Sequence, residues 1–215
     1  MEGALINSIL YEDNHILVVV KPKGILSQAD GSDKPDMLTL LKEYIKEKYQ
    51  KPGNVYLGLV HRLDLFTSGV MVFAKTSKAA NRLSEQIQNH DFEKKYLAIV
   101  EGVLTGTSTL KSFLKKNETE KKSYIDPTGQ EASLTYQALE SKNNRTLVDI
   151  TLHTGRFHQI RAQLASIGHP LYGDSKYGST KKISSYDFPL EAYQLSFFHP
   201  ITKQRLTFEH KTLHL

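Results

Sequence analysis

Residues 58–76 read GLVHRLDLFTSGVMVFAKT and change character twice within nineteen positions. The apolar, β-branched run from Val70 to Lys75 predicts a strand. Thr67, Ser68 and Gly69 before it have the composition of a turn, Gly69 tolerating backbone angles that other residues avoid. Between that turn and Gly58 stands a charged cluster, His61, Arg62 and Asp64. An aspartate there either hydrogen-bonds its own backbone or is a functional acid kept ionised by a neighbouring cation, and taken alone the turn reading is the stronger.

On either side of this stretch the pattern alternates between strands and helices. HILVVVKPKGIL (15–26) reads as a buried strand that carries Lys21 and ends in a turn at Pro22 and Gly24. From Met37 to Tyr49, apolar residues at 37, 38, 41, 44, 45 and 49 follow helical spacing, with Pro52 and Gly53 as the stop. Ser77 offers an N-cap to a second helix carrying Ala80, Leu83 and Ile87 on one face. KKYLAIVEG (94–102), SLTYQALE (133–140) and TLVDITLH (146–153) read as strands, separated by polar stretches such as KKNETEKK (115–122) and DPTGQE (126–131). FHQIRAQLASIGH (157–169) reads as a third helix with Ile160, Leu164 and Ile167 on its apolar stripe and Gly168 as its stop. The tail YQLSFFHPITKQRLTFEH (193–210) reads as a hairpin turning at Pro200. Many strands with three helices indicate an α+β fold, and with no repeat or linker residues 1–215 are expected to form one domain.

Composition narrows the function. Lys and Arg outnumber Asp and Glu by 28 to 23, a formal charge of +5 with a pI near 9.1, which favours a polyanionic partner without requiring one. There is no cysteine, so thiolate chemistry, disulfides and Cys-ligated metals are excluded. No apolar run approaches a membrane span and the N-terminus lacks the pattern of a signal peptide, so the expected location is the cytoplasm. In TGRFHQIRAQ, Arg156 is expected at a helix start, with His158 and Arg161 three apart on the helix and therefore neighbours. Because Ile160 and Leu164 must face the core, Arg161 lies beside the buried stripe and can reach inward toward a carboxylate. Asp64 is the expected partner. The loop GHPLYGDSKYG (168–178) is either a connection or a source of contacts to a nucleic-acid backbone.

Taken together and in this order, VVVKPKGIL, HRLDLFTSGVMVFAKT, KKYLAIVEG, GRFHQIRAQLASIGHPLYGDSKYG and FFHPITKQRLTFEH resemble the RluA-type pseudouridine synthases, a family of RNA-modifying enzymes. The resemblance implies a mixed, largely antiparallel sheet whose flanking helices and loops form a central cleft. It implies isomerisation of uridine in ribosomal or transfer RNA without cofactor or metal, after the base has been flipped out, and a monomer is the default expectation. By position it places the catalytic aspartate at Asp64, its arginine partner at Arg161 and the active-site tyrosine at Tyr96. It places Arg62 in the space left by the flipped base, Ile160 beside that base, and further substrate contacts at His61, Arg156, His158, Lys21 and Thr67. The chain departs from the family pattern at Leu65 and Phe66, where charged or polar residues are usual, at Phe157 in place of a small residue, and at Gln163 in place of a frequent His. The accessory RNA-binding module of many relatives is not expected here. Two other readings are a non-catalytic RNA-binding protein and a metal-dependent hydrolase using His61, His153 and His158, whose spacings match no recognised ligand set.

Overall fold

The computed structural model describes residues 8–215. Two compact units divide the chain: residues up to Phe92 with Gln194–His210, and Glu93–Tyr193 with Lys211–Leu215. The class is α+β, with three α-helices among the described residues.

In the first unit β1 (Ile9–Glu12), β2 (Ile16–Lys21), β3 (Gly58–Leu59) and β4 (Ser68–Ala74) pair antiparallel, β2 against both β1 and β4, and β3 against β4. Strand β2 is buried along its length, as its unbroken apolar run predicts. Register explains how both faces are used. Ile16 and Val18 stand beside Ala74 and Val72 and join a core closed by Ala79 and Leu83 of helix α2 (Ser77–Gln88) and by Phe92, Leu195 and Phe197. Leu17, Val19, Met71 and Phe73 point the other way and are fully buried too. Helix α1 (Met37–Lys48) is capped by Asp36, which accepts the Thr39 N–H at 3.0 Å, and it buries Met37, Leu41 and Ile45. Tyr49 ends this helix with its ring half exposed and so lies off the apolar stripe expected of it. The cap of α2 is Thr76, which accepts the Ala79 N–H at 3.1 Å; Ser77 is the first helical residue and not the cap that the sequence suggests. The C-terminal hairpin forms as expected: β11 (Arg205–Glu209) pairs with the Gln194–Phe198 half of the strand β10 (Leu190–Phe198), and Pro200 lies in the turn.

The second unit holds an antiparallel sheet, β5 (Glu93–Glu101) beside β9 (Arg145–Leu152), β9 beside β8 (Gln130–Lys142), β8 beside β6 (Thr107–Asn117) and β6 beside β7 (Lys122–Ile125). KKNETEKK is half strand, its ends belonging to β6 and β7 with a turn over 118–121 between. Helix α3 (Gln159–Ser166) packs Ala162 and Ala165 against Leu114 and Ala132. Gly168, at φ +83°, ends α3 as expected, whereas Ile167 is more than one-third exposed and does not belong to its buried stripe.

One polar cluster ties the first unit together. The Glu12 carboxylate accepts from Tyr44 Oη (2.9 Å) and Lys48 Nζ (2.7 Å) on one oxygen, and from Tyr49 Oη (2.8 Å) and Lys75 Nζ (2.8 Å) on the other. Burial alone would raise its pKa, but these four donors outweigh that and lower it to about 2. A carboxyl held below its unfolded value stabilises above the unfolded pKa and loses that contribution as pH falls through the folded one. Glu12→Gln is therefore expected to cost about 2 kcal/mol at pH 7. Urea titrations of the two proteins should converge as pH drops from about 5 toward 2.

Candidate active site

The segment carrying Asp64 is irregular, and its fixed geometry comes from anchors elsewhere in the first unit. Strand β3 pairs with β4 at Gly58–Ala74 and Leu59–Phe73, and the chain then turns away. His61 Nε2 accepts the Val72 N–H at 3.1 Å in place of the missing strand neighbour. An accepting Nε2 leaves the neutral ring's proton on Nδ1, and the ring sits edge-on to Phe92, 5.4 Å between centroids. Leu63 is buried and clamped twice by Ser27, whose hydroxyl accepts the Leu63 N–H at 3.0 Å and donates to its carbonyl at 2.8 Å. The Thr67 N–H closes a turn on the Asp64 carbonyl at 3.1 Å. Between them the Leu65 carbonyl accepts the Gly24 N–H (2.9 Å) and Lys21 Nζ (3.2 Å).

Lys21 is fully buried, and its ammonium also donates to the carbonyls of Pro22 (3.0 Å) and Ile25 (2.8 Å). Burial lowers its pKa to about 8, with the nearby Asp64 charge pulling the other way. Asp64 is half-buried and Arg62 exposed. Thr67 is buried, and its hydroxyl has no hydrogen-bond partner among the described residues. The anchor at residue 65 is a main-chain carbonyl, so the family departure to Leu65 leaves it intact.

In the second unit Tyr96 is buried on β5 and Ile160 on α3. The helix begins later than the sequence suggests. His158 precedes it as the N-cap, in the left-handed conformation at φ 50°, and Arg156 lies three residues before Gln159 with Nε donating to the Glu131 carbonyl at 2.8 Å. Gln159 organises this entry: its Oε1 accepts the Arg156 N–H (3.0 Å) and the Thr154 hydroxyl (2.7 Å), while Nε2 donates to the Ser133 carbonyl and to Gln163, both at 3.0 Å. Gln163 passes the connection on, its Nε2 reaching Ser112 Oγ at 2.9 Å and the Ala132 carbonyl at 3.2 Å.

Arg161 is held on several sides. Nε and Nη2 donate to the two oxygens of Asp174 at 2.6 and 2.8 Å, and Asp174 is almost fully buried. Nη1 is 2.8 Å from His158 Nε2, so the expected neighbour relation between residues 158 and 161 is present although His158 lies outside the helix. Burial and then the charges of Arg161, Lys176 and Lys116 lower the His158 pKa to about 3. The imidazole is therefore neutral near pH 7. With Nε2 accepting from Arg161, its proton is on Nδ1, 3.1 Å from Tyr177 Oη. The rings of Tyr177 and Phe188 lie 5.0 and 5.2 Å from the guanidinium carbon. Ser27 is not marked by any pattern in the sequence, and Asp174 is read there only as part of the 168–178 loop, not as the partner of Arg161. Among the described residues no three His, Asp or Glu side chains are grouped to hold a metal ion, and no helix is long and apolar enough to cross a membrane.

The family model described as RNA pseudouridylate synthase matches residues 15–166, which include both the Asp64 segment and the Arg161 helix. The chain belongs to that family. Relatives of the family include "Ribosomal large subunit pseudouridine synthase C" of Buchnera aphidicola, 36% identical over 211 residues, covering 93% of this chain and 65% of the relative. An "Uncharacterized RNA pseudouridine synthase" of Bacillus subtilis is 37% identical over 206 residues, covering 94% and 67%. "Ribosomal large subunit pseudouridine synthase D" of Zymomonas mobilis is 34% identical over 214 residues, covering 94% and 68%. The chain thus spans about two thirds of the length of these relatives. Among solved structures, human RNA Pseudouridylate Synthase Domain Containing 4 superposes with a TM-score of 0.79 at 25% identity, covering 97% of this chain and 90% of that one.

Two substitutions test the scaffolds of these residues. Ser27→Ala leaves the N–H and carbonyl of Leu63 unpaired and is expected to cost about 1–3 kcal/mol in a urea titration. Asp174→Ala leaves the Arg161 charge without its bidentate partner and should cost about 3–5 kcal/mol in the same measurement.

Proposed function

We propose that this protein isomerises uridines in RNA to pseudouridine, with Asp64 as the catalytic carboxylate. The observation that carries the reading is the Asp64 segment: an irregular, three-sided clamp of Ser27, Lys21 and His61 presents a half-buried carboxylate, in a chain of this family. Such rigidity is what positioning a nucleophile or base within reach of a substrate atom requires. The reaction breaks the bond from ribose C1′ to N1 and forms one to C5; the proton lost from C5 is matched by one gained at N1, so no oxidant, reductant or cofactor enters the balance. Asp64 acts in its ionised form, on the base or on the sugar, and either route begins with a nucleoside taken out of its stack.

In this reading Tyr96 packs against the base, Ile160 lies beside it, Arg62 fills the vacated position, and Arg161 pairs with Asp64, with both units serving one catalytic domain. His61, Lys21 and Thr67 from the first unit, and Arg156 and His158 from the second, shape or contact the substrate around it. The protein acts as a monomer in the cytoplasm. The names of the relatives favour large-subunit ribosomal RNA as the first substrate to try, ahead of transfer RNA.

Incubation with unmodified ribosomal and transfer RNA followed by pseudouridine mapping tests the proposal. Wild type is expected to introduce pseudouridine at discrete sites, and Asp64→Asn to lose turnover by at least about a thousandfold with an unchanged melting temperature. Undiminished turnover in Asp64→Asn would defeat the assignment.

A further inference from the structure

Lys94 is a cation for which the described part of the protein supplies no counter-charge. It stands on β5 two residues before Tyr96 and therefore on the same face of the strand. The register carries that face from Lys94 to Leu152 and on to Leu134, whose near neighbour Ala132 packs against Ala162 of α3. Lys94 and Tyr96 thus look toward the side of the sheet on which α3 and the strand-to-helix segment 153–158 are placed. The amine lies over Gly155, where an added Cβ would stand 3.6 Å from Nζ.

Lys94 is half-buried, and two other lysines drawn at least partly out of solvent, Lys21 and Lys75, are compensated. Lys21 has three carbonyls and the Asp64 charge; Lys75 has Glu12. Lys94 has burial lowering its pKa and no charge opposing that shift, and among the described residues no hydrogen bond or ion pair receives its ammonium. A charge half withdrawn from water without a partner carries a desolvation cost, which a counter-ion ordinarily meets. Gly155 itself brings no side chain to the spot.

We infer that Lys94 is an anion-binding residue that takes a phosphodiester of the RNA next to the uridine at Tyr96. Lys94 and Tyr96 are two residues apart on a strand, about 6.6 Å, which is the order of separation between a base and the phosphates of its own nucleotide. The inference rests on the function proposed above, because it is the RNA substrate that brings the phosphate. Lys94 is a binding residue and not a catalytic one; it fixes the sugar-phosphate backbone while the base is held elsewhere.

The test is binding of a fluorescently labelled ten-uridine RNA by anisotropy across a KCl series, with wild type, Lys94→Met and Lys94→Arg, alongside melting temperatures. Lys94→Met is expected to bind severalfold more weakly near 0.1 M KCl, and its plot of log affinity against log salt should flatten by about 0.7, the contribution of one phosphate on a single strand. Lys94→Arg should retain the wild-type slope. Since methionine removes an uncompensated half-buried charge, Lys94→Met should melt at or above the wild-type temperature. Equal affinity and slope in Lys94→Met would overturn the phosphate assignment alone, leaving the uridine isomerase reading in place. A Lys94→Met protein that melts lower than wild type would mark Lys94 as structural and also overturn it. Absence of RNA binding by wild type would overturn both.

Discussion

The ammonium of Lys21 is the interaction on which the candidate site depends. It sits in the interior with three main-chain carbonyls around it, two from its own turn and one from residue 65. The turn after β2 and the segment before β4 are thereby joined through a charge that neither could bury by itself. Gly24 adds an N–H to the same carbonyl at 2.9 Å, and Ser27 holds the residue preceding Asp64 by both of its main-chain polar groups. The polar grip on residues 63 and 65 is on main-chain atoms, so Asp64 is placed between two fixed points. At Leu65 the anchor is the carbonyl, which does not depend on the identity of the side chain.

The second unit solves a related problem with side chains. Arg161 would be hard to hold in one orientation by a single partner, because its stem is long and its rotamers numerous. Asp174 takes one edge of the guanidinium in bidentate fashion, neutral His158 accepts from another nitrogen, and the Tyr177 and Phe188 rings lie against it. The arrangement works because His158 stays uncharged beside three cations, and burial accounts for that first. Gln159 and Gln163 supply the complementary anchoring of α3 to the sheet, a run of amide contacts that fixes where the helix begins.

Much of this was legible in the chain before its folding was known, wherever a repeating pattern carried the information. The buried run of β2, the amphipathic spacing of α1, the strands β5, β8 and β9, the glycine that ends α3 and the Pro200 hairpin all follow from periodicity or from conformational preference. Failures occurred where a single residue decides. Whether Thr76 or Ser77 caps α2 depends on one dihedral. Helix α3 starts at Gln159 because His158 adopts the left-handed conformation, which side-chain spacing cannot reveal. Strand β6 escaped notice because most of its residues are exposed, so its alternation is weak. Asp174 and Ser27 belong to loops, and their partners are distant in sequence. The motif around Asp64 drew attention to the right segment, but the groups that immobilise it could be read only from coordinates.

The division of the chain into units has a consequence for how the protein is made. Leu195 and Phe197 belong to the apolar core of the first unit, yet every residue of the second unit except its last five precedes them in the chain. During synthesis the N-terminal strands and helices therefore emerge without two of the side chains that complete their interior. They must wait, their apolar faces open, until more than a hundred further residues have left the ribosome. A chain cut just before residue 194 would contain the whole Asp64 segment and still lack Leu195 and Phe197, two side chains of the apolar core of its own unit.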